Sequence, residues 1–222
     1  MSYSIKHDGL SLVPPLQPPV QPNYDERVVS ALHWHRNLLE SALAQFATRS
    51  APLAKVAAWL IETLRNGNKV FVAGNGGSAA EAQHFAAELV GRFKRERSPY
   101  AVLALTTDTS ILTAIANDYG YEEIFARQVV GLSQPGDLLV TFSTSGESEN
   151  LIRAALAAQQ CLVRVIAITG ERPSRLSRHA DVTVRVPSTD TAIAQELHMI
   201  ATHILCDLVE AEFAGCEGEA GR

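Results

Sequence analysis

The chain has 222 residues, with 19 Lys and Arg against 24 Asp and Glu, a formal net charge of −5 at pH 7. A mildly acidic chain lacks the basic excess that displaces counterions from a nucleic acid, so no nucleic-acid partner is expected and any bound anion must be held locally. With 46% hydrophobic and 19% charged residues it has material for one sizeable core, and no apolar run approaches the roughly 20 residues of a bilayer span or makes a secretory signal, so a cytoplasmic protein with no membrane partner is expected.

Residues 1–23 carry five of the ten prolines, Pro14, Pro15, Pro18, Pro19 and Pro22, without helical or alternating periodicity, and read as an extended or disordered arm. From Asp25, the apolar residues Val28, Val29, Leu32, Leu38, Leu39, Leu43 and Phe46 recur at helical spacing and predict a long amphipathic helix. His33, Trp34 and His35 read as its surface, with Trp34 available for a contact between helices or subunits. A second helix is expected from Ser50 as N-cap, with Pro52 in its first turn, to Gly67.

Short apolar runs then alternate with helical stretches, the pattern of a parallel sheet covered on both faces. Strands are expected at Val70–Ala73, Ala101–Leu105, Leu138–Phe142, Val163–Thr169 and Val182–Val186, with helices near 77–93, 109–131, 148–160 and 191–213. The fold class is α/β: a three-layer sandwich around a five-stranded parallel sheet with additional N-terminal helices, one domain over 24–213, and a frayed tail at 214–222. Cys161, Cys206 and Cys216 are odd in number and unclustered, which favours core packing over disulfides or a Cys-type zinc site.

In such sheets ligands gather beyond the carboxyl ends of the strands. After the first strand, Gly74-Asn75-Gly76-Gly77-Ser78 would let a ligand approach the backbone; it also reads as a tight strand-to-helix turn. The spacing Gly74-x-Gly76-x-x-Ala79 loosely fits a dinucleotide loop, but no acidic residue ends the second strand, which argues against NAD. After the third strand, Ser143-Thr144-Ser145-Gly146-Glu147-Ser148 gathers hydroxyls at a helix start, a phosphate cradle by composition, whereas one serine would suffice as a cap. Glu147 and Glu149 sit awkwardly beside a dianion and are expected to point away.

His84 and Glu88 share a helix face at i, i+4, and Gln195, His198 and His203 lie on the last helix. A His and a carboxylate with a second His could supply an acid–base pair or most of a divalent-metal site; they could equally form a surface pair, and His198 reads as a core histidine. Gln195 and His203 are eight residues apart, about 12 Å along a helix. Either the helix starts after Gln195 or the two come from different subunits. Asn117-Asp118 closes an apolar run, where helix capping is the ordinary reading.

Taken together, AGNGGSAAEAQHFAAEL, TAIANDYGYEEIF, STSGESEN and QELHMIATHIL resemble the sugar isomerase (SIS) domain family, from about residue 25 to 213. The resemblance implies an aldose–ketose isomerase converting sedoheptulose 7-phosphate to D-glycero-D-manno-heptose 7-phosphate through an enediol. It implies that Asn75, Gly76, Gly77, Glu88, Asn117, Asp118, Ser143, Thr144, Ser145, Ser148 and Gln195 contact the sugar phosphate, with the serine loop on the phosphate. It further implies one zinc per subunit on His84, Glu88, Gln195 and His203, and a homotetramer with active sites at subunit interfaces, which would resolve the distance between Gln195 and His203. Glu88 and His203 suit the catalytic base and its acid partner, in either order. The same family includes a non-catalytic branch that associates with the replication initiator DnaA; it shares the flavour of ERSPYAVLAL, TAIAND and CDLVE, read here as surface segments. Glu88 and His203 favour the enzyme over that branch, and a sugar-phosphate sensor would normally carry a DNA-binding module.

Overall fold

A computed structural model describes residues 23–217; the proline-rich arm, apart from Asn23, and the last five residues lie outside the described residues. The chain divides into two units within its first helix, one ending at Asn37 and the other beginning at Leu38. That helix, α1, spans Tyr24–Ala47, and α2 spans Ala51–Arg65 with Pro52 in its first turn. Ser50 precedes α2 as expected, yet it has a helical backbone and its hydroxyl makes no capping bond. A capping side chain needs a non-helical backbone at its own residue, which Ser50 lacks, and Pro52 removes one of the two N–H donors that a cap would reach.

The sheet contains β1 (Val70–Gly74), β2 (Val102–Ala104), β3 (Leu138–Ser143), β4 (Arg164–Thr169) and β5 (Val182–Arg185), all parallel, in the order β2-β1-β3-β4-β5. Each expected strand is present within a residue at either end. Strand periodicity sends successive side chains to opposite faces. Val70, Val72, Leu138, Val140, Phe142, Ile166 and Ile168 therefore pack in one cluster with Leu60 of α2, Phe85 and Leu89 of α3 (Gly77–Val90), and Leu197 and Leu205 of α7 (Thr191–Glu217). Phe71, Ala73, Leu139, Val165 and Ala167 face the other way, onto α5 (Ala126–Leu132) and α6 (Glu149–Gln160). A fully buried Leu or Phe contributes about 1.5–3 kcal/mol relative to exposure, so the first cluster, above any local propensity, clamps α3 and α7 to one face of the sheet, and the second clamps α5 and α6 to the other.

Three helices differ from expectation, the first being α3, which stops at Val90 and leaves 91–93 outside it. The stretch 109–131 is broken into α4 (Thr109–Tyr119), a 3-10 turn at Tyr121–Glu123, and α5. The break falls at Gly120, whose φ of +98° lies outside the helical region and is open to glycine at low cost. Apolar periodicity continued across it and masked the interruption. The last helix begins at Thr191, ahead of Gln195, and continues through Glu217. Of the two explanations for the Gln195–His203 spacing, a late helix start is therefore excluded.

The strand order reverses direction between β1 and β3, since β2 lies to one side of β1 and the chain returns to place β3 on the other. That crevice is where loops diverge and a ligand finds room. No described helix is long and apolar enough to cross a membrane.

Candidate active site

Helices α3 and α7 run side by side in the same direction. An added Cβ at Gly77 would fall 2.2 Å from Nε2 of Gln195, Glu81 meets His198, and His84 meets His203, so contacts advance along both helices together. Nε2 of His84 lies 3.1 Å from Nε2 of His203 and 3.2 Å from Oε1 of Glu88. The ligand atoms of His84, Glu88 and His203 all fall within 4.8 Å of one another at half-buried positions. His84 and Glu88 meet because i and i+4 lie on one helical face; His203 joins them because the helices are packed in that register.

The three donors suit a small divalent cation. A tetrahedral zinc site with Zn–N and Zn–O bonds of about 2.0–2.2 Å separates its donors by roughly 3.3–3.6 Å, close to the spacings seen here. Gln195 is not part of this convergence within one chain. It lies against the start of α3, eight residues from His203 on a continuous helix, or about 12 Å along the axis.

The serine loop lies at the end of β3. Ser143 Oγ accepts the Gly146 N–H at 3.0 Å and Ser145 Oγ accepts the Glu147 N–H at 3.2 Å, closing a compact turn. Gly146 adopts φ +66°, and a Cβ there would meet Ser174 Oγ at 2.1 Å, so only glycine makes this turn beside that neighbour. Ser148 takes the N-cap position of α6 in an extended conformation and makes no side-chain capping bond, so the plain capping reading does not account for its hydroxyl. Thr144 and Ser145 line a cavity of about 280 Å³ with Arg172, Ser188, Thr189 and Thr191.

Glu171 and Asp190 also border this cavity, while Glu147 and Glu149 bond to Arg175. Glu147 Oε1 accepts the Arg175 N–H at 2.9 Å, although Glu147 also borders the cavity. Glu149 pairs with Arg175 at 2.9 Å and with Arg153 at 3.4 Å. The Arg175 hydrogen bond, helped by the charges of Arg175 and Arg153, holds the Glu149 carboxyl below its usual range against the opposing effect of burial.

Asn75 bridges the crevice between the two strand ends. Its amide exchanges hydrogen bonds with Asn150 at 2.9 and 2.8 Å, and Tyr121 donates to Asn75 Oδ1 at 3.1 Å. Gly76 supplies the turn after it with φ +57°. Asn117 and Asp118 lie exposed at the end of α4, bonded to each other at 2.8 Å, and Asp118 borders a different surface cavity with Ile111, Tyr119 and Arg127. The single chain therefore assembles the His84, Glu88 and His203 triad and, separately, the serine turn, and groups Asn117 and Asp118 with neither. His198 is fully buried, with Nδ1 3.3 Å from the buried Glu81, in agreement with a core histidine.

Several residues here escaped sequence reasoning. Phe93 stacks flat on His203, with centroids 5.4 Å apart and planes at 14°. Arg97 and Glu210, in segments read as surface, are buried and paired at 3.1 Å. Cys206 is a buried free thiol, as core packing predicts; burial first, then the charges of Glu88 and Glu210, push it up to about 12. Arg172 carried no signal beyond residence in a loop, and Tyr121 was read within the helical stretch 109–131, whereas it opens the 3-10 turn after Gly120.

Comparison with known proteins agrees with this geometry. The SIS domain family matches residues 33–170. A phosphoheptose isomerase of Geotalea daltonii is 47% identical over 190 residues, covering 86% of this chain and 97% of that protein. Among solved structures, a phosphoheptose isomerase from Francisella tularensis superposes with a TM-score of 0.79 at 36% identity, covering 82% of this chain and 97% of that one. One from Neisseria gonorrhoeae gives 0.77 at 39%, covering 85% and 99%.

Proposed function

The chain belongs to the SIS domain family, and from that premise we propose that it is an aldose–ketose isomerase converting sedoheptulose 7-phosphate to D-glycero-D-manno-heptose 7-phosphate. The observation that carries the reading is the meeting of His84, Glu88 and His203 within 4.8 Å on two helices packed against the same sheet as the serine loop. Isomerisation requires a base for a carbon-bound proton and a partner that moves a proton between neighbouring oxygens. Glu88 takes the proton from C1 of the ketose, leaving an enediol. His203 shuttles the oxygen-linked proton between O1 and O2, and return of a proton to C2 gives the aldose. The phosphate ester takes no part and serves as a handle, held by hydroxyl and N–H donors of Ser143, Thr144, Ser145 and Ser148 at the start of α6.

His84, Glu88 and His203 fit a divalent ion, zinc in our reading, which when bound supplies Lewis-acid polarisation of the sugar oxygens. Glu88 carries two carboxylate oxygens, so engagement of one leaves the other basic. Asn75, Gly76 and Gly77 line the sugar's path from the crevice. Gln195, Asn117 and Asp118, which one chain leaves apart from the triad, are assigned to a homotetramer with active sites at subunit interfaces, acting in the cytoplasm. Turnover of sedoheptulose 7-phosphate in a coupled assay, with light scattering for the assembly mass, tests the proposal; a zinc-loaded chain that leaves that sugar unchanged refutes it.

A further inference from the structure

The carboxylate of Glu210 is completely buried, and it is surrounded by donors. Oε1 accepts the Phe93 N–H at 2.7 Å, and Oε2 accepts those of Lys94 and Arg95 at 2.8 and 3.0 Å. Arg97, whose side chain is only 2% exposed, adds Nε at 3.1 Å. The other end of the same guanidinium donates to the Glu88 carbonyl at 2.8 Å and to those of Gly91 and Ser98 at 3.2 and 3.0 Å. A buried charge persists in a fold only when it is paired and hydrogen-bonded, and this pair is satisfied at both ends.

The connections lead to the triad from two directions. Glu210 pins the backbone of Phe93, whose ring lies flat on the His203 imidazole. Arg97 grips the carbonyl of Glu88 where α3 is about to end at Val90. Glu210 is also on α7, seven residues after His203, so one helix carries both the imidazole and the anchor of the loop that covers it. Surface attachment of the loop would require none of this: Asp207 already pairs with Lys94 at 3.2 Å and Arg95 at 2.7 Å at the protein's exterior.

We propose that Glu210, acting through Arg97 and Phe93, is a positioning residue that presets His203 and Glu88 for the reaction. The inference rests on the isomerase reading for its kinetic consequence, but not for its effect on cation binding. Partners that orient a ligand typically account for 10- to 100-fold in metal affinity or activity. Glu210→Gln, which keeps the shape and removes the charge, should lower Zn²⁺ affinity, measured by competition with a chromophoric chelator, by about 10- to 100-fold. It should lower kcat by a similar factor with KM nearly unchanged, because no substrate contact is lost. Phe93→Leu, which keeps an apolar cover without the flat stack, should lower both by roughly 2- to 10-fold. Glu62→Gln, which removes a remote exposed pair with Arg164, should alter neither.

A folded Glu210→Gln protein with reduced thermal stability but undiminished Zn²⁺ affinity and kcat overturns the proposal, since Glu210 would then be structural only. Should that variant fail to fold, Phe93→Leu decides: full Zn²⁺ affinity and full kcat in it refute the positioning role. Absence of turnover in the unsubstituted chain would sink the isomerase reading, while the Zn²⁺ comparison would still judge this inference.

Discussion

The serine end of the sheet and the α3–α7 seam build their candidate sites from different material. At the serine end the donors are contiguous, Ser143 to Ser148, and their geometry comes from turn hydrogen bonds and one left-handed glycine. At the seam His84 and His203 are 119 residues apart and meet only because two helices pack in register. The first site needs a local turn, whereas the second needs the whole core. In the proposed reaction a sugar phosphate would use both, with its inert end at the local turn and its reactive end at the assembled triad.

Glu88→Gln should separate the two regions most sharply. Loss of a positioned base costs about 10²–10⁴-fold in rate, so kcat should fall by that factor while calorimetric binding of the sugar phosphate stays within about twofold; sustained turnover would contradict the assignment. Stripping divalent ions with a chelator acts on the same region. Turnover should drop by roughly 10²-fold or more and return on adding Zn²⁺, and activity indifferent to chelation would exclude an ion at the triad.

Ser148→Ala addresses the other region. Hydrogen bonds to charged groups contribute about 1.5–3 kcal/mol, so KM should rise roughly 10- to 100-fold with little change in kcat. Gly146→Ala should cost about 1–2 kcal/mol in urea unfolding from its left-handed backbone alone, with the contact to Ser174 adding to it.

The smallest effect expected is one of pH. Burial would raise the Glu210 carboxyl, but the N–H groups of Phe93, Lys94 and Arg95 and the charge of Arg97 more than offset it, leaving it below the ordinary value of 4.5. The unfolded chain therefore takes up the proton first as pH falls. The stability due to Glu210 is full above the ordinary value and is lost as pH falls through 4.5 toward the lower folded value. Glu210→Gln should flatten the acid limb of a stability–pH curve, and an unchanged limb would argue against the buried ion pair.

All five strands and most helices were legible because apolar periodicity records burial, and both sheet faces are buried along nearly every strand. The break at Gly120 was not, since the apolar spacing runs through it and the deciding fact is a backbone angle. The serine turn and the His84–Glu88 pair could be read because their members are neighbours in sequence or on one helical turn. Arg97 and Glu210 were misread as surface because a charged residue in a polar stretch carries no mark of burial. The two are each other's partners, 113 residues apart.

By itself, then, the amino-acid order determined the α/β layering, the glycine and serine turns, and a His–Glu pair on one helix face, all properties of residues within a turn or a period of each other. Only the tertiary structure decided that His203 completes that pair, that Gln195 lies a helix turn and more away from it, and that Glu210 and Arg97 lie beneath it. The physical reason is packing register. The core energy that clamps α3 beside α7 comes from dozens of apolar contacts spread over the chain, and no local pattern states where along each other two helices will come to rest.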